Sequence, residues 1–110
     1  MLFKPEHVAP IREGRKTQTR RLWKRPMVKV GGTYWAETKM YKPESRFARL
    51  KVTRLWKERL GAISEADAKA EGYENADGYL IAFSEINHIK LGDWLRVLKQ
   101  WVTCVEFEVV

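Results

Sequence analysis

The stretch "RFARLKVTRLW", residues 46–56, alternates apolar and polar side chains along most of its length. Ala48, Leu50 and Val52 form one row, and the row between them is rich in Arg and Lys. Because successive side chains of a strand point to opposite faces, this alternation predicts a half-buried β-strand with a cationic outer face. We therefore expect a sheet with one positively charged face.

Strand-like patterns also occur on both sides of this stretch. "TYWAET", residues 33–38, follows the Gly31-Gly32 turn and is rich in residues that favour strands. "WVTCVEFEVV", residues 101–110, alternates apolar residues with glutamates near its end. If "KTQTRRLW", residues 16–23, is extended as well, strands occupy both ends of the chain.

Two helices are predicted between these ends. In "ISEADAKAEGY", residues 63–73, Ser64 has the position of an N-cap and Gly72 that of a helix stop. "ADGYLIAFSEIN", residues 76–87, has apolar residues at helical spacing and Asp77 as its predicted cap. Strand-rich ends around two central helices predict an α+β domain with a small, curled or barrel-like sheet.

The composition is that of a folded domain. The chain has 110 residues, of which 45% are hydrophobic, and five tryptophans. A chain of this length fits one domain, residues 1–110, and its apolar content argues against disorder. Cys104 has no partner for an internal disulfide and is expected to pack in the core, as suits a reducing compartment.

Several function classes are disfavoured by the sequence. No apolar run approaches the ~20 residues of a membrane span, and "MLFKPEHV" at the start lacks the hydrophobic stretch of a signal peptide. His7, His88 and Cys104 are far apart, and no pair of them has the spacing of metal ligands. We expect a cytoplasmic protein without a metal site, a cofactor or a membrane partner.

The net charge of +7 conceals an asymmetry between the two halves of the chain. Residues 1–59 contain 17 Lys and Arg against 5 Asp and Glu, a net charge of +12. Residues 60–110 contain 4 against 9, a net charge of −5. This clustering favours a polarised surface that attracts a polyanion on one side, although general solubility is the alternative explanation.

The stretch "GRKTQTRR", residues 14–21, is the most basic part of the chain that also contains hydroxyl groups. Its glycine ends a short predicted helix, so Lys16 lies at the corner that follows. In an extended chain Thr17, Thr19 and Arg21 point the same way. These groups would surround one pocket suited to a phosphate, a carbonyl or a nucleobase edge. The alternative is an exposed edge strand that is protected by charge.

Glu71 has an unusual position for an acid. It is the last residue before Gly72, and therefore lies at the negative end of the predicted helix dipole, where a carboxylate is disfavoured. Glu71 is either a solvated residue that tolerates this small cost or a catalytic carboxylate. The local pattern leaves both open.

The stretch "IREGRKTQTRR", residues 11–21, resembles the opening motif of ASCH domains, which are small relatives of the PUA-like RNA-binding barrels. That motif is roughly Gly-x-Lys-Thr-x-Thr-x-Arg. Residues 45–73 and 101–110 are similar to two further stretches of the family, although many members have Gly-Asp where this chain has Gly31-Gly32. The resemblance implies an α+β fold with a small PUA-like β-barrel and flanking helices.

The resemblance and the charge pattern together predict an RNA- or nucleotide-binding domain with a basic cleft built around "GRKTQTRR". The partner would be RNA or a modified nucleoside or nucleotide, held by phosphate contacts and by a pocket that receives a base. The expected nucleic-acid-binding residues are Arg15, Lys16, Thr17, Arg20, Arg21, Arg46 and Arg49.

A second reading is a small amidohydrolase. One bacterial branch of the ASCH family resembles this chain at the same motif and hydrolyses the acetyl amide of N4-acetylcytidine with a Lys, a Thr and a Glu. The resemblance carries these catalytic roles to Lys16, Thr19 and Glu71, with Glu74 as a close competitor for the acid. A ribonuclease with the same residue types is a third reading.

The hydrolase reading has specific chemical requirements. Lys16, desolvated beside Arg21, would lose its proton near neutral pH and activate the hydroxyl of Thr19 or a water molecule. Glu71 would carry a proton to the leaving amine. Backbone N–H groups near Gly14 would hold the oxyanion.

Overall fold

The computed structural model describes residues 1–110, apart from the side chain of Leu91. The described residues form helices and strands in the order α1 (Val8–Arg12), β1 (Gln18–Arg21), β2 (Thr33–Glu37), β3 (Arg46–Arg59), α2 (Glu65–Ala70), α3 (Ala76–Ile86), α4 (Trp94–Lys99) and β4 (Trp101–Val109). The predicted α+β class is confirmed.

The four strands form one antiparallel sheet in the order β1-β4-β3-β2, which curls into a half-barrel. The first residues of the chain pair with the free edge of β2: Leu2 bridges Glu37, and the Phe3 amide donates to the Glu37 carbonyl at 2.9 Å. From there the guanidinium of Arg21 in β1 donates to the carbonyl of Leu2 at 2.7 Å. The N-terminal segment therefore continues the curl from β2 towards β1.

The sheet is covered on both faces along β4, where residues 102–105 are all buried. Val102 and Cys104 pack with apolar residues of α2, α3 and α4 on the outer face. Val105 packs with Val28 and Val52 on the inner face of the curl. Because β4 lies between β1 and β3 and has a core on each side, it holds the basic N-terminal half and the helices together.

The helix caps are partly as predicted. Ser64 caps α2, because its side chain accepts a hydrogen bond from the Asp67 amide at 3.0 Å. The prediction that Asp77 caps α3 is wrong. The helix begins at Ala76, and the side chain of Asn75 accepts from the Gly78 amide at 2.8 Å, so Asp77 lies within the first turn.

The end of α2 contacts the start of β1. Gly72 has a φ of +98°, which favours glycine, and a Cβ added there would lie 3.6 Å from Cβ of Lys16. The amide of Thr17 donates to the carbonyl of Ala70 at 2.7 Å. This contact brings Glu71 next to the basic motif.

Candidate functional site

Lys16 lies two residues before the start of the edge strand β1, and only 2% of the residue is exposed. Its Nζ atom donates to Oε1 of Glu71 at 2.9 Å, to the Glu71 carbonyl at 2.7 Å and to the Gln18 carbonyl at 3.0 Å. Each of the three ammonium hydrogens therefore has an acceptor, which is what allows a buried lysine to remain charged.

Glu71 is held between two cations. Its Oε1 atom contacts Lys16, and its Oε2 atom accepts from Nη1 of Arg20 at 2.9 Å. The Arg20 side chain is fully buried and also pairs with Glu58 at 2.7 Å and with Asp67 at 3.3 Å. Three carboxylates thus neutralise Arg20, and its position does not support the expected contact with a phosphate.

The two buried cations respond differently to their surroundings. Burial lowers the pKa of Lys16 below its usual 10.5, and the attraction of Glu71 opposes this only in part. Burial also acts to lower the pKa of Arg20, but the charge of Glu71 and the hydrogen bonds to Glu58 and Glu71 more than offset it, so this pKa is raised. Of these two buried cations, Lys16 is therefore the one that loses its proton more readily.

Thr19 and Arg21 lie together on one face of β1, as the alternation predicts. Oγ1 of Thr19 accepts a hydrogen bond from Nε of Arg21 at 3.0 Å. The guanidinium of Arg21 lies 4.9 Å from the centre of the Phe3 ring and stays partly exposed. In the described part of the chain its side chain donates to Thr19 and Leu2, which uses two of its five N–H donors.

A pocket of about 100 Å³ opens between the N-terminal segment, β1 and α3. Leu2 and residues of α3 provide an apolar wall. The polar side chains that line it include His7, Lys16, Thr19, Arg20, Arg21, Glu71 and Tyr73. Lys16 and Glu71 are 55 positions apart in the sequence. They therefore meet at one pocket, which Thr19 also lines.

His7 and Tyr73 are members of this pocket that the sequence did not indicate. Nε2 of His7 lies 3.4 Å from the hydroxyl of Tyr73, 66 positions away. Burial, followed by the positive charge of Lys16, lowers the pKa of His7 to about 4, so the imidazole is neutral at physiological pH. Nothing in the local pattern around either residue indicates this contact, which depends on the packing of the N-terminal segment.

Three other candidates lie outside the pocket. Thr17 lines a different hollow, beside Phe107. Glu74 is exposed and does not approach Lys16 closely enough for an ion pair, so Glu71 is the acid at the site. Arg15 is exposed and pairs with Glu13 at 2.6 Å.

Arg46 and Arg49 lie on the exposed outer face of β3. Their guanidinium carbons are 5.2 Å and 5.0 Å from the centre of the Trp35 ring in β2. They therefore belong to a different part of the surface from the pocket lining.

The expected oxyanion site near Gly14 is wrong. The amide of Gly14 donates to the Ile11 carbonyl at 3.1 Å, and the amides of Arg15 and Lys16 donate to the Pro10 carbonyl at 2.9 Å and 3.0 Å. These N–H groups already donate to carbonyls of the last turn of α1, so they are not available to donate to an oxyanion.

Within the described residues, no group of three or more His, Cys, Asp or Glu is placed to hold a metal ion. No helix among them combines the length and the apolar character that crossing a bilayer requires.

At the level of sequence, the chain matches no family model and no curated protein. Solved structures do resemble it. A DUF984 protein from Enterococcus faecalis V583 superposes with a TM-score of 0.73 at 20% identity, over 96% of this chain and 67% of that one. An ASCH domain from Lactobacillus crispatus JV V101 gives 0.68 at 17% identity, over 93% and 69%.

The ASCH protein from Zymomonas mobilis superposes with a TM-score of 0.63 at 13% identity, over 99% of this chain and 67% of that one. The chain thus spans about two thirds of the length of each of these structures. Together with the curled sheet and the helix order, these similarities show that the chain has the ASCH-domain fold.

Proposed function

We propose that this protein binds RNA or a nucleotide, with a base in the pocket beside Lys16 and with phosphates on the surrounding arginines. The observation that carries the proposal is the convergence of Lys16, Thr19, Arg21 and Glu71 on one pocket, where the basic first half of the chain meets α2 and α3. An apolar wall with a few fixed polar groups is the usual lining of a small-molecule site.

The size of the pocket limits what enters it. About 100 Å³ is less than the ~300–1,000 Å³ of typical ligand sites. A base or an acyl group would therefore occupy the pocket, while the ribose and phosphate would lie outside, near the partly exposed guanidinium of Arg21. Exposed arginines such as Arg15, Arg46 and Arg49 would add phosphate contacts, whereas Lys16 and Arg20 are too deeply buried to do so.

A salt titration tests this proposal. If four surface arginines neutralise phosphates of single-stranded RNA, affinity should fall roughly 50-fold between about 50 and 200 mM salt. Arg21→Gln should weaken binding and flatten the salt dependence. Lys24→Gln, a change of an exposed lysine that does not line the pocket, is the matched control. Affinity that is insensitive to salt and to Arg21→Gln would contradict the proposal.

Hydrolysis of an acylated cytidine is a second candidate function, and a specific observation favours it. Lys16, Thr19 and Glu71 line the same pocket, the ammonium and the carboxylate are 2.9 Å apart, and the pKa of Lys16 is lowered. A substrate that excludes water would favour transfer of the proton from Lys16 to Glu71, because two neutral groups are easier to bury than two charges.

The neutral pair has the groups that amide hydrolysis needs. The Lys16 amine would accept a proton from a water molecule or from the Thr19 hydroxyl while that oxygen attacks the acyl carbon. If Thr19 attacks, the acyl–threonine ester would then be hydrolysed by a water molecule that gives its proton to the same amine, which releases the acid. Glu71, now an acid, would give its proton to the departing N4 amine as the C–N bond breaks. The free N–H donors of Arg21, rather than the amides near Gly14, would face the developing oxyanion.

Incubation with N4-acetylcytidine, followed by mass spectrometry of the products, tests the second candidate. Release of cytidine and acetate should be abolished by Lys16→Met and by Glu71→Gln. The controls are Lys24→Met and Glu74→Gln, which change the same residue types outside the pocket and should retain turnover. Full activity in Lys16→Met would exclude this chemistry. Cleavage of a single-stranded RNA incubated in parallel would instead indicate a ribonuclease.

A further inference from the structure

A second cationic and aromatic surface lies on the outer face of the sheet. Helices cover this face only where Val102 and Cys104 lie, and the opposite end is open to solvent. We call this end the open sheet face; it consists of Trp35 of β2 with Arg46, Arg49 and Lys51 of β3. Trp35 pairs directly with Arg49, and the neighbouring pairs of the same ladder place Lys51 and Arg46 on either side.

Trp35 is 41% exposed, and two guanidinium groups lie over its ring. The guanidinium carbon of Arg49 lies 5.0 Å from the ring centre, and that of Arg46 lies 5.2 Å from it. In the described part of the chain neither arginine forms an ion pair with a carboxylate, in contrast to Arg20. Their charges therefore remain free for an anionic partner.

The open sheet face adjoins the pocket. Leu2 bridges Glu37 in a parallel pair, and paired residues point to the same side of a sheet. Trp35 lies two residues from Glu37 along β2, so its side chain shares that side with Leu2. Diagonal neighbours of this kind are about 7–8 Å apart. Because Leu2 is 40% exposed and also lines the pocket, one side chain connects the two surfaces.

We propose that the open sheet face is a stacking subsite for the nucleotide next to the one in the pocket, so that the ligand is a single-stranded segment of RNA rather than a free nucleoside. This inference rests on the proposed function of the pocket. A base stacks well on an indole ring or on a guanidinium plane, and guanidinium groups bind the adjoining phosphates. Duplex RNA is a poor partner because its bases are already stacked on one another.

The acidic residues near this surface do not cancel its charge. Glu108 lies opposite Lys51 in the β3–β4 pair, and Glu37 lies beside the N-terminal ammonium. Glu37 also lies opposite Arg46 in the β2–β3 ladder, although the two form no ion pair among the described residues, and the ladder partner of Arg49 is Trp35 rather than an acid. The positive charge is thus concentrated at the Trp35 ring, where stacking and phosphate contacts would occur together.

The chain contains a matched control for this arrangement. Trp101 is 56% exposed, and the guanidinium carbon of Arg59 lies 4.5 Å from the centre of its ring. Trp101 pairs with Arg59 at the far end of β3, ten residues from Arg49 and therefore about 30 Å away along the strand. It has the same chemistry without the connection to the pocket.

Two probes distinguish binding at the subsite from binding in the pocket. The first is a fluorescein-labelled oligocytidylate of about six nucleotides, whose binding is measured by fluorescence anisotropy. The second is cytidine monophosphate, whose binding is measured by calorimetry. Trp35→Ala should weaken binding of the oligonucleotide roughly 10-fold or more and leave that of the mononucleotide unchanged. Trp101→Ala should change either affinity by less than about twofold. An unlabelled duplex should compete more weakly than the single strand.

Charge variants provide a second measurement if Trp35→Ala perturbs the sheet. Arg46→Gln combined with Arg49→Gln should weaken oligonucleotide binding, whereas Arg59→Gln should not, with folding checked by circular dichroism. If Trp35→Ala and Trp101→Ala have the same effect while Arg21→Gln weakens binding of both probes, the proposed function of the pocket is supported and the stacking subsite is excluded. If Arg21→Gln changes neither affinity, the proposed function fails, and this inference fails with it.

Discussion

The ammonium of Lys16 lies 2.9 Å from the carboxylate of Glu71, at the point where the end of α2 meets the start of β1. Both side chains are almost completely excluded from solvent, and the second carboxylate oxygen of Glu71 is held by Arg20. The same pair therefore contributes to the stability of the fold and to the chemistry proposed for the pocket.

A double-mutant cycle on this pair should show strong coupling. Removing one member of a buried ion pair typically costs roughly 3–5 kcal/mol, because the other charge is left uncompensated. Glu71→Gln leaves Lys16 and Arg20 facing a neutral amide, so it should cost more than Lys16→Met, after which Arg20 still pairs with Glu71. In urea denaturation, the double variant should lose about 1–3 kcal/mol less than the sum of the two.

The control for this cycle is Glu74→Gln, which changes an exposed acid. It should alter the free energy of unfolding by no more than about 0.5 kcal/mol. Additive costs for Lys16→Met and Glu71→Gln would contradict a direct interaction between the two charges.

His7 should make stability depend on pH in the acidic range. Burial and the nearby Lys16 lower the pKa of His7 from its usual 6.5 to about 4. Between these values the unfolded chain binds a proton that the folded protein does not, so the contribution is present above pH 6.5 and is lost as the pH falls towards 4. The free energy of unfolding of the wild type should decline more steeply over this interval than that of His7→Gln.

The carboxylates that also titrate there are common to both proteins, so the difference between the two slopes isolates His7. His88→Asn changes the other histidine, which is exposed, and should keep the wild-type slope. Identical slopes for the wild type and His7→Gln would mean that His7 accepts a proton in the folded protein without penalty.

Thr103→Val should stabilise the protein. Oγ1 of Thr103 is buried and has no hydrogen-bond partner among the described residues. Valine has nearly the same shape and removes an unsatisfied hydroxyl, so the free energy of unfolding should rise by about 1 kcal/mol. Thr19→Val is the contrasting change, because the Thr19 hydroxyl accepts from Arg21, and it should destabilise. A loss of stability in Thr103→Val would point to an unrecognised partner of the hydroxyl.

The thiol of Cys104 should be inert in the folded protein. The side chain is completely buried, and burial raises its pKa to about 12. Because the thiolate is the reactive form, iodoacetamide at about pH 8 should label the unfolded chain and leave the native protein unmodified. Mass spectrometry after both treatments measures this, and rapid native labelling would contradict the core position.

Some features follow from short stretches of sequence because their causes are local. The alternation in residues 46–56 depends only on the direction of successive side chains in a strand. The Ser64 cap depends on a hydrogen bond from the amide of Asp67, three residues later, and the end of α2 depends on the positive φ of Gly72. The predicted cap of α3, Asp77, lies two residues after the actual cap, Asn75, because both residue types are acceptable caps and the choice depends on where the helix begins.

The convergence of Lys16, Thr19 and Glu71 is implied only by the resemblance to a family and has no local cause in the sequence. The contact of His7 with Tyr73 was not anticipated, because it joins two segments that only the packing of the N-terminal residues brings together.

By itself the sequence determined the strands and the two central helices α2 and α3, but not α4. It also determined that the basic charge lies in the first half of the chain and that Cys104 belongs to the core. Only the tertiary structure decided which cations remain available to a ligand. Arg20 and Arg21 are adjacent, chemically identical and both line the pocket, yet Arg20 pairs with three carboxylates, whereas the described contacts of Arg21 are with Thr19 and the Leu2 carbonyl. Burial and ion pairing depend on partners 38 to 51 positions away, and no local pattern specifies them.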